Sequence, residues 1–145
     1  ITIHNFQSYY QTTSIDFDKG LNLIIGNGGK GKSKLFNAFY WVLFGDIYIT
    51  DLGWCSTNGL PHSANMTLKR HEFINKKALH DCPIGNTIEC KVSLEIESDK
   101  HETYTIERSA RAKRIEYEDT ETIFLPIGKL YAGLWFNRLR KRRTC

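Results

Sequence analysis

The sequence predicts an α/β fold, and three neighbouring stretches carry that prediction. Leu21-Asn22-Leu23-Ile24-Ile25 becomes apolar enough for a central strand, and IGNGGKGKS at 25–33 breaks it with four glycines and two lysines. KLFNAFYWVLFG at 34–45 then has helical apolar spacing. A later group of alternating strands is expected to pair antiparallel. Strands covered on both faces need not alternate, so a mixed sheet is expected around residues 21–25.

The elements follow in chain order. Ile1 and Ile3 alternate ahead of Phe6, and Ile15 and Phe17 alternate around Asp16, so both stretches read as short strands. Lys19-Gly20 supplies a turn before the central strand. In the helix, Leu35, Phe36, Phe39, Val42 and Leu43 form the apolar set, Ala38 is a small packing position, and Lys34 and Asn37 take polar faces. Gly45 is the expected stop. Tyr40, Trp41 and Phe44 make this helix apolar nearly all round, so it is expected to pack on a sheet and on another element.

Gly53, Gly59 and Pro61 interrupt the pattern after Asp46, which reads as an irregular insertion with a brief strand at Met66-Thr67-Leu68. Alternation returns at Cys90–Ile96, a turn falls near Ser98-Asp99-Lys100, and Tyr104-Thr105-Ile106 alternates again. Ile115-Glu116-Tyr117 adds another strand, and Leu130 to Leu139 reads as a helix start. The expected division is a strand–strand–loop–helix core at 1–45, an insertion at 46–89, antiparallel strands at 90–118, and a helix with a basic tail at 126–145.

Composition bounds the function. In 145 residues, 41% are apolar, with eight Phe, seven Tyr and three Trp, enough for a sizeable core and against wholesale disorder. The chain does not begin with Met, and its first residues already read as a strand, so it is expected to be part of a longer protein. No run approaches the roughly 20 apolar residues of a membrane span. The first residues lack a basic start followed by an apolar core, so no signal peptide is expected and the reading is cytoplasmic. Cys55, Cys82, Cys90 and Cys145 fit neither a zinc spacing nor a small disulfide scaffold; reduced, structural cysteines are expected. Arg138, Arg140, Lys141, Arg142 and Arg143 account for the net charge of +4, since the rest holds 15 basic against 16 acidic residues. That run reads as a nucleic-acid contact, a solvated helix end or a truncation boundary.

The glycine stretch matches G-x-x-x-x-G-K-[ST] from Gly26 to Ser33. A surface turn would explain its composition, but its place between a strand and a helix is what a phosphate-binding loop requires. Glycine permits left-handed backbone and close approach, successive amides form an anion nest, and the helix start adds unpaired amides. Gly26, Asn27, Gly28, Gly29, Lys30, Gly31, Lys32, Ser33 and Lys34 are the candidate binding residues. Lys32 is the catalytic candidate, reaching the β and γ phosphates, and Ser33 is the metal candidate, its hydroxyl placed for Mg2+. Lys30 either strengthens the nest or points to water. ATP is favoured over GTP.

The stretch IHNFQSYYQTTSIDFDKGLNLIIGNGGKGKSKLFNAFYWVLFG resembles the N-terminal nucleotide-binding segment of SMC-like coiled-coil ABC ATPases. These include double-strand-break-repair ATPases and the DndD proteins of bacterial DNA phosphorothioation systems. The resemblance rests on Asn5-Phe6, Gly20-Leu21-Asn22, the loop, and Leu35 through Gly45. Weaker likeness continues through Ile74-Asn75, Val92–Ile96 and Tyr104–Arg108. It implies a P-loop NTPase fold of the ABC-head type, represented by its N-terminal lobe, with ATP and Mg2+ bound and Gln7 and Ser8 on the nucleotide side. It further implies a complementary C-terminal lobe returning through a coiled coil, a head–head dimer, DNA association in repair, maintenance or defence, no membrane role, and a bacterial, nucleoid-associated setting. Gly28 stands where relatives place Asn, Lys30 where they place a small residue, Lys34 where a hydroxyl is common, and Gln7 where a basic residue is common.

Hydrolysis also needs an oriented water and charge stabilisation. Ile115–Asp119 has acids without the apolar run of a Walker B strand, no SGG-type signature occurs, and no Gln follows Gln11. The parent is read as an ATPase and the isolated chain as turning over weakly or not at all. A nucleotide-sensing interaction module and an unusual small P-loop hydrolase or kinase are the alternatives. His62, His71, His80 and His101 are too dispersed for a metal site, Asp46 and Asp51 read as a solvated loop, and Tyr40 and Trp41 read as core or interlobe contacts rather than a base stack.

Overall fold

Alternation sets the sheet. Along Thr87–Glu97 (β5), Ile88, Cys90, Val92 and Leu94 turn inward and are buried, while Glu89, Lys91, Ser93 and Glu95 lie on the other face. In the computed structural model of the chain, the described residues are 1–29, 31–50, 52–57, 74–99, 101–118, 121–126 and 140–142. Thr2–His4 (β1) and Thr12–Ser14 (β2) form one edge, and α1 spans Lys32–Phe44. Asp46–Ile49 (β3) and Gly53–Ser56 (β4) make a separate hairpin, followed by α2 at Lys76–Asp81. Thr103–Glu118 (β6), Glu121–Pro126 (β7) and Arg140–Arg142 (β8) complete the main sheet. Its order is β2-β1-β5-β6-β7, with β8 also on β6.

The long hairpin is in register from Thr87 opposite Lys113 to Glu97 opposite Thr103. Its polar face is stitched across strands: Thr2 with Ser14 at 3.1 Å, His4 with Thr12 at 2.8 Å, Lys91 with Glu107 at 3.2 Å and Arg111 with Glu89 at 2.9 Å. Exposed pairs of this kind add about 0–1 kcal/mol each. The apolar face does more. Ile3, Val92, Leu94 and Ala112 share one core with Leu35, Ala38, Trp41 and Val42 of α1 and with Ile47 of β3.

Trp41 is the centre of that core. Its ring stacks on Phe6 with centroids 5.1 Å apart, and its indole N–H donates to Thr57 Oγ1 at 2.9 Å. Thr57 in turn reaches Gly45 O through its hydroxyl at 2.5 Å and its amide at 2.7 Å. Gly45, at φ 83°, donates back to Trp41 O, so α1 ends in a left-handed cap as its glycine predicts. The end of α2 is closed differently: Arg114 Nη1 donates to His80 O at 3.0 Å and to Cys82 O.

Several expectations change. Leu21–Ile25 forms no ladder with the described residues, and Leu21, Leu23 and Ile25 are 96%, 77% and 82% exposed. An apolar segment becomes a sheet strand only with neighbours to pair with, and none flanks it among the described residues. The expected mixed sheet is therefore antiparallel throughout its described pairings. The insertion contains a regular hairpin and α2, and Ile115–Tyr117 joins Tyr104–Ile106 in the single strand β6. Arg140–Arg142, in the expected basic tail, forms strand β8 on β6. Met66–Leu68, the Leu130–Leu139 helix start, His62, His71, Asp51, Arg138, Arg143 and Cys145 lie outside the described residues. Cys55, Cys82 and Cys90 are free thiols, and burial pushes the Cys82 and Cys90 thiols up. No helix among the described residues is long and apolar enough to cross a membrane.

Candidate nucleotide-phosphate site

Glycine chemistry shapes the loop ahead of α1. Gly29 at φ 73° and Gly31 at φ 86° occupy the left-handed region that side chains resist. Gly31 starts α1 without a side-chain cap, and its carbonyl accepts from Lys34 N at 3.0 Å and Leu35 N at 3.1 Å. No acidic residue lies in the first turn. The helix start thus keeps its positive end.

Lys32 closes across the loop. Its Nζ donates to Asn27 O at 2.8 Å and to Gly26 O. Gly26 and Gly28 carry no positive φ; a Cβ at Gly26 would meet Lys32 Cδ at an ordinary 3.8 Å, and one at Gly28 would meet nothing within 4 Å. Backbone angle therefore favours glycine at 29 and 31, whereas neither angle nor packing requires it at 26 or 28. Residues 26–29 and Ser33 are exposed, whereas Lys34 is half-buried. Lys30 lies outside the described residues.

The loop at 5–11 stands beside this helix start. Asn5, Gln7 and Gln11 all have positive φ, at 47°, 48° and 56°. Asn5 holds the loop shut, donating from its amide to Gln11 O and accepting from Gln11 N at its side chain, both at 2.9 Å. Ser8 is exposed and sits 3.8 Å from where a Gly31 Cβ would be. Gln7, by contrast, is 5% exposed, its Oε1 accepting from Asn37 Nδ2 at 3.0 Å. Asn75 anchors the same loop from α2, donating from Nδ2 to Gln7 O at 2.8 Å and from its amide to Asn5 O at 2.8 Å. Its Oδ1 also caps α2 by accepting from Ala78 N.

These residues fit an anionic polyphosphate: a helix start without a side-chain cap, a glycine loop, the Lys32 ammonium and no acidic group in the first turn. When bound, ATP with Mg2+ would supply the phosphoryl group and a charge-neutralising cation. Ser33 offers one hydroxyl ligand, and the described residues contain no cluster of three His, Cys, Asp or Glu side chains.

A family profile of the AAA domain matches residues 1–135. The chain belongs to that family. This AAA domain is 48% identical over 44 residues to the DNA double-strand break repair Rad50 ATPase of Methanococcus maripaludis, covering 30% of this chain and 4% of that protein. It is 31% identical over 108 residues to the chromosome partition protein Smc of Thermoplasma acidophilum, covering 74% of this chain and 8% of that protein. Against the Rad50 ATPase of Thermoplasma acidophilum the identity is 44% over 46 residues, covering 32% and 5%. The chain thus spans less than a tenth of these relatives' length. The likeness to SMC-like ATPases read from the motifs is shown, and the AAA domain points to a P-loop NTPase fold.

Two contributors escaped the motif reading. Asn37 reads as a polar-face residue, yet it is buried at 3% exposure and pairs with both main-chain groups of Tyr48. Asn75 anchors a loop 68 residues earlier. A lone Asn inside an otherwise apolar helix was the available signal for the first; an Asn just ahead of Lys76-Lys77-Ala78-Leu79 was the signal for the second.

Proposed function

We propose that this AAA domain is the ATP-binding N-terminal lobe of a DNA-associated ABC-type ATPase head. The loop geometry carries the reading: Gly29 and Gly31 take left-handed backbone just ahead of a helix start with no side-chain cap, an arrangement that suits close approach of a phosphate chain. Gly26, Asn27, Gly29, Lys30, Gly31, Lys32 and Lys34 complete the phosphate cradle, Ser33 serves Mg2+, and Gln7 and Ser8 border the nucleotide.

The exposed Leu21–Ile25 segment supports a partner lobe. Leu21, Leu23 and Ile25 leave apolar surface that a complementary lobe would cover. The proposed lobe contributes the acidic strand end and signature segment, and two such heads sandwich ATP. Repair, maintenance or phosphorothioation-linked defence is the process served, in a cytoplasmic, nucleoid-associated setting. Residues 1–45 form the proposed nucleotide core, 46–89 its insertion and 90–118 the supporting strands.

Fluorescent ATP-analogue binding and phosphate release test this directly. With Mg2+, the chain alone binds nucleotide but completes no more than about one turnover, and adding the complementary lobe restores DNA-responsive multiple turnovers. Sustained multiple turnover by the chain alone would contradict the split-site reading.

A further inference from the structure

The buried amides between the first loop and α1 carry a consequence for specificity in the nucleotide site. Tyr48 presents both main-chain groups to one side chain: its N–H donates to Asn37 Oδ1 at 2.8 Å, and its carbonyl accepts from Asn37 Nδ2 at 2.8 Å. That pairing leaves only one chemically sensible orientation of the Asn37 amide. The second Nδ2 hydrogen then goes to Gln7 Oε1 at 3.0 Å. Gln7 is oriented in turn, with oxygen toward Asn37 and nitrogen directed elsewhere.

Gln7 Nε2 is buried and has no acceptor within hydrogen-bonding distance among the described residues. Such a donor is destabilising if it stays unsatisfied. Its backbone is also held in the left-handed region at φ 48°, a strain that persists only where surrounding contacts impose it. Those contacts are the Asn75 bond to Gln7 O and the Asn37 bond to its side chain. The next residue, Ser8, lies against Gly31 at the start of α1, and Asn37 sits one turn after Ser33 on the same helix.

We infer that Asn37 is a positioning residue that turns the Gln7 amide so its nitrogen, not its oxygen, serves an anionic phosphate oxygen in the loop. A basic side chain offers donors in every orientation, but an amide offers one donor end and one acceptor end. An amide at this position therefore needs a partner that fixes its sense. Asn37 meets that need because β3 fixes Asn37.

The inference rests on the phosphate-loop reading, and a double-mutant cycle in the intact ATPase separates the two. The readout is affinity for a fluorescent ATP analogue with Mg2+, with thermal unfolding followed in parallel. Lys32→Ala is the control: unchanged affinity there means that the phosphate-loop reading itself has failed. Gln7→Met removes the donor while leaving the Asn37–Tyr48 pairing, and weakens binding about ten- to hundredfold, the loss of one hydrogen bond to a charged group. Asn37→Asp keeps an acceptor for Tyr48 N–H but sets a carboxylate oxygen against Gln7, turning its amide over, and weakens binding to a similar degree. In the Gln7→Met background, Asn37→Asp costs less than about a further twofold. Wild-type affinity in Gln7→Met overturns the inference whether or not the Asn37 variant folds. Losses that simply multiply in the double variant overturn it too, because a purely structural Asn37 acts independently of the residue at 7.

Discussion

Lys32→Ala weakens magnesium–ATP binding at least about a hundredfold, while its unfolding midpoint stays within a few degrees of the parent. On the proposed reading the ammonium makes two or more charge-assisted bonds to phosphate, each worth about 1.5–3 kcal/mol. Its present partners, Gly26 O and Asn27 O, belong to an exposed loop, where water can replace it. Stability therefore loses little. Lys32→Arg fares poorly as well, because a planar guanidinium cannot replace a compact ammonium beneath a short loop. Isothermal titration alongside thermal unfolding checks both variants. Affinity for Lys32→Ala within threefold of the parent would remove this side chain from phosphate binding.

Trp41→Ala destabilises the fold by about 3–5 kcal/mol, the usual cost of deleting a fully buried large aromatic ring. Trp41 is 1% exposed, stacks on Phe6 and reaches Thr57. Its loss opens a cavity between the first loop and α1 and removes the indole bond to Thr57, whose two bonds to Gly45 O remain. Trp41→Phe keeps most of the stack and loses the indole N–H, for about 1 kcal/mol from the missing hydrogen bond and a further packing loss. Urea denaturation ranks the parent above Trp41→Phe and Trp41→Ala last. An alanine variant within about 1 kcal/mol of the parent would deny the ring its central place in the core.

Local rules read well where one residue decides the outcome. Gly31 and Gly45 bound α1 in left-handed conformations, and the Cys90–Ile96 alternation lies within β5. Local rules read poorly where distant partners decide. Leu21–Ile25 has the composition of a strand, but composition cannot supply the neighbours that a ladder needs. Asn37 is polar and reads as a polar-face position, yet Tyr48 and Gln7 satisfy its amide where it is buried. Arg108 and Arg114 similarly obscured the length of β6, since inward arginines break the apolar alternation. Burial lowers the Arg108 pKa, with the charge of Asp46 acting against that shift. At the candidate site, the motif located the loop and Lys32; the amide chain from Tyr48 through Asn37 to Gln7 required three-dimensional proximity.

Amide hydrogen exchange across residues 26–35, with and without saturating magnesium–ATP, is the most direct probe of main-chain phosphate binding. Exchange from Gly28 through Lys34 slows at least about tenfold when nucleotide is present, while the β5 amides stay unchanged. Equal exchange in this loop, measured under conditions where nucleotide is demonstrably bound, would place the phosphates elsewhere.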